Sequence, residues 1–389
     1  MVQRAFSKFT GCRALGALLV LLITPMGASG HAWSWTTEPI DTAGMVTSLA
    51  ADAQGNLHIS YRVNEGWILK YGFRPAGSSR WFTMVLDQQL GGFFAYLRLD
   101  SQGNPHICYT PGRMKYAHWD GRKWHSQEIG VGSGAVGFTC SVTVAPDGTP
   151  HLSWYQLYQN GVYFYHLKYA VLRDGAWLTQ TIDFNGEAGK YNSIHLDSQG
   201  FPHISYSAFP GGELRYARWN GRNWVRQILD SPDYKPAGGT RSMGNSLILD
   251  AQGRVQISYY DDESLKYARE QGNKWSIEIV DSLVDRNFWQ VGWEGYRSSQ
   301  ALDRRGLPHV CYESAQGLKH AYWDGKQWHA QLIAAGPRAF YYYSSMAIGP
   351  DDTVYISFRD PVDGSLRLAI GRPSAAQETE KAENKTGKD

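Results

Sequence analysis

Apolar and polar residues alternate in short runs along this chain, and the runs are separated by tight-turn signals. Leu97 and Leu99 flank Arg98, and Val142 and Val144 flank Thr143, the two-residue period of a strand with one buried face. Beyond residue 30 no stretch sustains the 3.6-residue period of an amphipathic helix. The runs come in a fixed order. One copy reads Leu196-Asp197-Ser198-Gln199-Gly200-Phe201-Pro202-His203-Ile204-Ser205-Tyr206, then Leu214-Arg215-Tyr216-Ala217, an Asn220-Gly221 turn and Trp224. It predicts strands over 191–197, 202–206, 213–219 and 224–230, the last two joined by a turn that needs positive φ.

Seven copies follow one another. Their turn glycines are Gly55, Gly103, Gly148, Gly200, Gly253 and Gly306, with Asp352 in the seventh place, at spacings of 48, 45, 52, 53, 53 and 46 residues. A period of that length, made of four short strands, predicts an all-β, seven-bladed β-propeller. The seventh copy stops after its third strand, near Arg372. Its fourth is found at the other end of the chain. Trp35 stands six residues before Asp41, as Trp81, Trp124, Trp177, Trp224, Trp275 and Trp328 stand six before Asp87, Gly130, Asp183, Asp230, Asp281 and Ala334. The N-terminal strand is therefore expected to complete the last blade and close the ring.

The ends define the domain boundaries. Residues 1–30 read as a secretory signal, with Arg4, Lys8 and Arg13 before the apolar run 14–23 and a small-residue site at Ala28-Ser29-Gly30. The propeller is expected over 31–373, in a secreted or periplasmic protein, and residues 374–389 read as a disordered polar tail. Without the signal, Lys plus Arg falls from 38 to 35 against 36 acidic residues. That balance gives no electrostatic case for nucleic acid or an anionic membrane, and the apolar run is too short for a permanent span. Cys108 and Cys311 replace a repeated serine (Ser60, Ser153, Ser205, Ser258, Ser357). The expected state is three buried thiols at Cys108, Cys140 and Cys311, with Cys108 and Cys140, on neighbouring blades, the pair able to bond.

A residue present in every blade is scaffold by default. His58, His106, His151, His203 and His309 share one register, one per blade, and cannot converge on a metal. The third-strand Lys70, Lys115, Lys168, Arg215, Lys266, Lys319 and Arg367 and the repeated tryptophans are read in the same way. Arg98 and His195 break their register, where other blades have Ala50, Thr143, Ile248, Ala301 and Ala347, and His195 is expected to be strand-buried and hydrogen-bonded.

Strand direction brings the variable loops out on one face, where function is expected. Just past the second strand stand Arg62, Thr110, Tyr155, Ser207, Tyr260, Glu313 and Arg359. Blades 5, 6, 7 and 1 are contiguous, so Glu313, Tyr260 and Asp261 are the candidate acid–base groups and Arg62 and Arg359 the candidate carboxylate clamp. Trp289, Trp293, Tyr296, Arg297, Tyr343, Lys190 and Tyr191 are the further candidate ligand-binding residues of that face. No metal or cofactor is implied.

The motif Leu-Asp-x-x-Gly-x-Pro-His-Ile-Ser-Tyr followed by Leu-Lys-Tyr-Ala resembles that of secreted bacterial propellers grouped with the BNR and sialidase-like repeats. The resemblance is one of repeat layout. A sialidase Asp-box reads Ser-x-Asp-x-Gly-x-x-Trp, whereas 197–203 spaces the glycine differently and ends on His203. No catalytic residue is carried over. The resemblance implies glycan contact, and with the arginine pair Arg62 and Arg359 the expectation is a monomeric secreted propeller that binds a carbohydrate or another extracellular ligand, an acidic glycan above all, on its variable face. A lyase or glycosidase acting on uronate- or sialate-containing glycans, and a protein-interaction platform, are the alternative expectations.

Overall fold

The computed structural model describes residues 33–63, 68–88, 94–110, 113–130, 135–159, 163–209, 212–231, 243–261, 264–282, 298–336 and 344–374. Residues Trp33–Pro373 form one compact unit. Within it are seven antiparallel sheets of four strands each, in simple meander order. The innermost strands of neighbouring blades pack side by side in a closed ring. The last sheet takes its outermost strand, Trp33–Asp41, from the start of the chain, and it pairs along Leu366–Pro373 from Trp33↔Pro373 to Asp41↔Leu366. The expected closure is observed. No described helix is long and apolar enough to cross a membrane.

The expected strands of blade 4 are observed as Glu187–Leu196, Pro202–Phe209, Glu213–Trp219 and Trp224–Asp230. The innermost strand starts four residues early. Register shifts at Lys190 let 187–190 pair with 207–209, and such bulges erase the simple alternation that marks a strand in sequence.

Adjoining blades are joined by two rows of hydroxyl bonds near the axis. In the first, an innermost-strand serine accepts a backbone N–H from the next blade. Leu97 donates to Ser48 at 3.0 Å, Ile194 to Ser141 at 3.2 Å, Leu247 to Ser193 at 3.0 Å and Met346 to Ser299 at 3.0 Å. Leu49 donates to Ser345 at 2.9 Å across the closing seam. In the second row, the repeated second-strand serine meets a polar side chain of the next innermost strand. Ser357 meets Thr47 at 2.8 Å, Ser153 meets Asn192 at 2.7 Å, Ser205 meets Asn245 at 2.6 Å and Ser258 meets Ser298 at 2.9 Å. Cys311 sits 3.6 Å from Ser344 in the same register.

Farther out, an aspartate ends five of the outermost strands and receives two donors from the next blade. Asp41 takes Tyr61 and Lys70, Asp87 takes Tyr109 and Lys115, and Asp183 takes Tyr206 and Arg215. Asp230 takes Tyr259 and Lys266, and Asp281 takes Tyr312 and Lys319. The repeated tryptophans cross the same seams edge-on, Trp124 over Tyr71 at 4.9 Å and Trp224 over Tyr169 at 5.2 Å among them. The repeated histidines turn inward within their own blades, where His58, His106, His151 and His203 each bond a third-strand tyrosine. The scaffold reading of these residues holds.

The seam between blades 2 and 3 keeps the tryptophan contact, Trp177 over Tyr116 at 5.3 Å, but lacks the serine bond and the aspartate cluster. Tyr96 stands where the accepting serine belongs, Gly130 replaces the aspartate and Trp154 the tyrosine, while Lys168 turns to Thr181 in its own blade. There Cys108 and Cys140 are joined in a disulfide, Cα–Cα 6.3 Å. This corrects the expectation of three thiols. The second-strand serine position meets the next innermost strand at four seams, and Cys311 does so at a fifth, so cysteines on both sides of one seam are held within bonding reach. Cys311 alone of the described cysteines is free, and burial pushes its thiol up to about 12. His195 pairs with His203 in the strand ladder and is only partly buried, and its ring makes no hydrogen bond to another described side chain, which departs from expectation.

Three outcomes follow from this framework. Deleting Trp33–Asp41 leaves the last blade three-stranded, and the melting temperature is expected to fall by about 10 °C or more, the equivalent of a few kcal/mol; an unchanged melt refutes closure by this strand. Protein without residues 1–30, denatured without reductant, is expected to titrate one thiol, and Cys108→Ser with Cys140→Ser to lose about 2–4 kcal/mol. Three titrating thiols refute the bond. Finally, burial lowers His58, His106, His151 and His203, with His106 and His151 at about 4. The folded chain thus binds fewer protons than the unfolded one, so this stability is complete above pH 6.5 and is lost as pH falls toward 4. A denaturant midpoint that stays level between those values contradicts the assignment, since each tenfold change in proton affinity is worth about 1.4 kcal/mol.

Candidate functional site

Each innermost strand ends in a short aspartate turn, as where Asp52 accepts the N–H groups of Gln54 and Asn56 at 3.0 and 2.8 Å. Those turns form one face. The second strands therefore end, and the third strands begin, on the opposite, variable face. Trp289, Trp293, Tyr296, Arg297 and Tyr343 belong to its connections and lie outside the described residues.

Of the five residues expected on one arc, the structure brings Tyr260 and Glu313 together. The Tyr260 ring is fully buried, and its hydroxyl donates to the Glu313 carbonyl and accepts the Glu313 N–H, both at 2.9 Å. This joins blades 5 and 6. Asp261 caps the following turn by accepting from Ser264 and pairs with Lys266 at 2.7 Å. Arg62 is buried, its Nη2 lying 2.9 Å from Met45 Sδ. Arg359 is half-buried beside the Gly364 turn, where a Cβ would approach its Nη2 to 3.0 Å. Arg62 and Arg359 occupy equivalent registers on adjacent blades, each opposite a leucine near the start of its third strand, Leu69 and Leu366.

Lys190 and Tyr191 lie on a raised rim between blades 3 and 4. It rises because the inner hairpin of blade 3, Pro150–Gln159 with Tyr163–Arg173, runs longer than its counterparts, and the innermost strand of blade 4 follows it. Gly189 permits the close approach: it holds φ +110°, and a Cβ there would stand 2.9 Å from Leu167 Cα. Tyr191, at φ 53°, turns its ring into the core. Between them the Lys190 ammonium points over three rings, 4.4 Å from the centroid of Phe209, 5.2 Å from Tyr165 and 5.9 Å from Tyr155, and pairs with Glu187 at 3.1 Å. Tyr155 and Tyr165 stack almost parallel, centroids 4.8 Å apart. Burial, with the Tyr165 hydroxyl beside it, raises the Tyr155 phenol well above its ordinary range, so it stays protonated. A cation among faces of this kind is held by about 0.5–2 kcal/mol, which fixes the lysine in place.

Outward of this cage the Phe184 ring is 61% exposed and leans edge-on against His166, centroids 6.3 Å apart. Beside it Arg215 donates to the Asn185 carbonyl at 3.0 Å and pairs with Glu213 at 2.6 Å. An apolar ring face is thus presented among fixed donors and acceptors, an arrangement that accepts a flat ligand with one apolar face and polar edges. Sequence reasoning missed Phe184, Tyr165, Phe209 and Glu187. Phe184 carried a signal, because the residue after the outermost-strand aspartate is polar in the other copies: Thr42, Gln88, Ser231 and Ser282.

No family model matches the chain, and no curated protein matches it in sequence. Solved structures share its fold at low identity. The β-propeller domain of Myceliophteria thermophila Cps50 (Swd1) is 11% identical over 86% of this chain and 99% of that one, TM-score 0.54. A lectin of Aleuria aurantia, solved with Fucα1-6GlcNAc, is 14% identical over 78% and 98%, TM-score 0.50. A Hadza microbial sialidase is 11% identical over 87% and 67%, TM-score 0.48. The likeness is one of propeller architecture.

Proposed function

We propose that the chain is a secreted carbohydrate-binding propeller that holds one glycan on its variable face, at the rim between blades 3 and 4. The observation that carries this reading is the exposed Phe184 ring set among the fixed polar groups of His166, Glu187, Lys190, Glu213 and Arg215. A pyranose stacks its apolar face on such a ring and spends its hydroxyls on the groups around it. Arg215 belongs to the repeat, but Phe184, His166, Glu187 and Lys190 do not recur in the other blades, so the site is single. Glu187 and Glu213 are committed to Lys190 and Arg215, which suits holding a ligand better than passing protons to it. The fold shared with a lectin is consistent with this reading. An acidic glycan long enough to cross the face from the rim would also reach Arg359 on blade 7, whose guanidinium suits a carboxylate.

A screen of neutral and acidic glycans by calorimetry tests the proposal. Phe184→Ala is expected to weaken the bound glycan about tenfold with no change in melting temperature, the loss of one ring contact. Arg359→Ala is expected to cost acidic glycans alone about 1.5–3 kcal/mol, as for a charged hydrogen bond. A screen without any binding sinks the carbohydrate reading. Binding that ignores Phe184→Ala moves the site elsewhere on the face.

A further inference from the structure

Two residues that break the repeat have no part in the rim. In the innermost strands, the position paired with the repeated histidine register is small or apolar in five blades: Ala50, Thr143, Ile248, Ala301 and Ala347. In blade 2 it is Arg98, opposite His106, and in blade 4 it is His195, opposite His203. Both residues sit at one register on the innermost strands, which close the ring around the axis, and both are partly exposed. At the same register blades 6, 7 and 1 carry Ala301, Ala347 and Ala50, packed against the apolar clusters and with no polar group to offer.

Arg98 lacks what five of the repeated third-strand cations have. Lys70, Lys115, Arg215, Lys266 and Lys319 each pair with an aspartate within 3.0 Å. The guanidinium of Arg98 makes one long bond, 3.4 Å from Nη1 to the Leu97 carbonyl, and no described carboxylate pairs with it. A cation held out of bulk water without a counter-charge is costly, and the cost is relieved by an anion from solution. His195 stands within reach of its field. Burial first and the Arg98 charge second push the imidazole down to about 3, so it is neutral and offers one ring N–H as a donor.

We propose that the axial channel is a binding site for a small oxyanion (sulfate, phosphate or a carboxylate) gripped by the Arg98 fork and bonded by the His195 ring N–H. The planar five-donor guanidinium matches two oxygens of one anion, and the neutral imidazole adds a donor without adding repulsion. The anion enters from the face of short turns, since Asp100 and Asp197 follow Arg98 and His195 within two residues.

The test is titration of the intact protein at pH 7.5 with sodium sulfate, phosphate and acetate, each against sodium chloride at equal ionic strength, followed by calorimetry and melting temperature. The expected result is saturable binding of at least one oxyanion. Arg98→Met is expected to abolish it while leaving the melting temperature in chloride unchanged or raised, because it removes an uncompensated charge. Arg98→Lys, which keeps the charge but loses the fork, and His195→Ala are each expected to weaken binding about tenfold. The response of Arg98→Met to sulfate measures the general salting effect, so any wild-type excess over it belongs to the site. If Arg98→Met does not fold, the weakening in Arg98→Lys carries the test. Phe184→Ala is expected to leave anion binding intact, which separates this site from the rim. No saturable response to any of the three anions, or equal responses in wild type, Arg98→Met and Arg98→Lys, overturns the proposal.

Discussion

The ring depends on how the innermost strands are joined side by side. Each is an edge strand, hydrogen-bonded to its own sheet on one side only, and its other N–H groups face the neighbour or the channel. A serine hydroxyl from the preceding blade reaches one of them at five seams, the closing seam included. The bond takes up a group that would otherwise be buried unpaired, which costs more than the bond itself contributes. It also sets the height of one blade against the next, and with it the register of the aspartate, tyrosine and lysine clusters farther out. The disulfide falls at the seam where those groups are missing. A covalent link has taken the place of several weak ones.

That substitution bears on the functional face. Blade 3 carries the longest inner hairpin of the ring and supports the rim where Lys190, Phe209, Tyr165 and Phe184 gather. A tall hairpin acts as a lever on its own base. The base is fixed to blade 2 through Cys108–Cys140 and to blade 4 through Ser153–Asn192 and Ser141–Ile194. The polar groups of the rim are likewise spoken for before any ligand arrives, so little ordering remains to be done on binding.

The architecture was legible because the repeat states each rule seven times. The six-residue step from Trp35 to Asp41 located the closing strand, and the observed pairing of Trp33–Asp41 follows it. The seam chemistry was hidden. The repeated serine, tyrosine, lysine and aspartate read as scaffold, but nothing local says that their partners lie on the neighbouring blade, 22 to 54 residues away in sequence at every seam but the closing one. The same gap explains the cysteines: Cys108 was seen to replace a serine, while the fact that this serine faces the next innermost strand belongs to the assembled ring. At the rim the difficulty was different. Bulges at Gly189 and Tyr191 break the alternation, so Glu187 and Lys190 read as loop, and an aromatic contact such as Lys190 on Phe209 needs three dimensions to appear.

The closing strand also has a kinetic meaning. Trp33 and Pro373 are pattern neighbours in one sheet although 340 residues of chain separate them. Six blades can form as local meanders as soon as their residues are available, because each strand pairs with the next. The seventh has to wait for both ends of the domain, and bringing those ends together costs about 5 kcal/mol of chain entropy by the logarithmic law of loop closure. That step is the slow one, since its contacts are of the highest order in the molecule. Until it happens, the third strand of the last blade, Leu366–Pro373, shows an open edge, so the same strand that makes the ring edgeless is also the last protection it acquires against pairing with another chain.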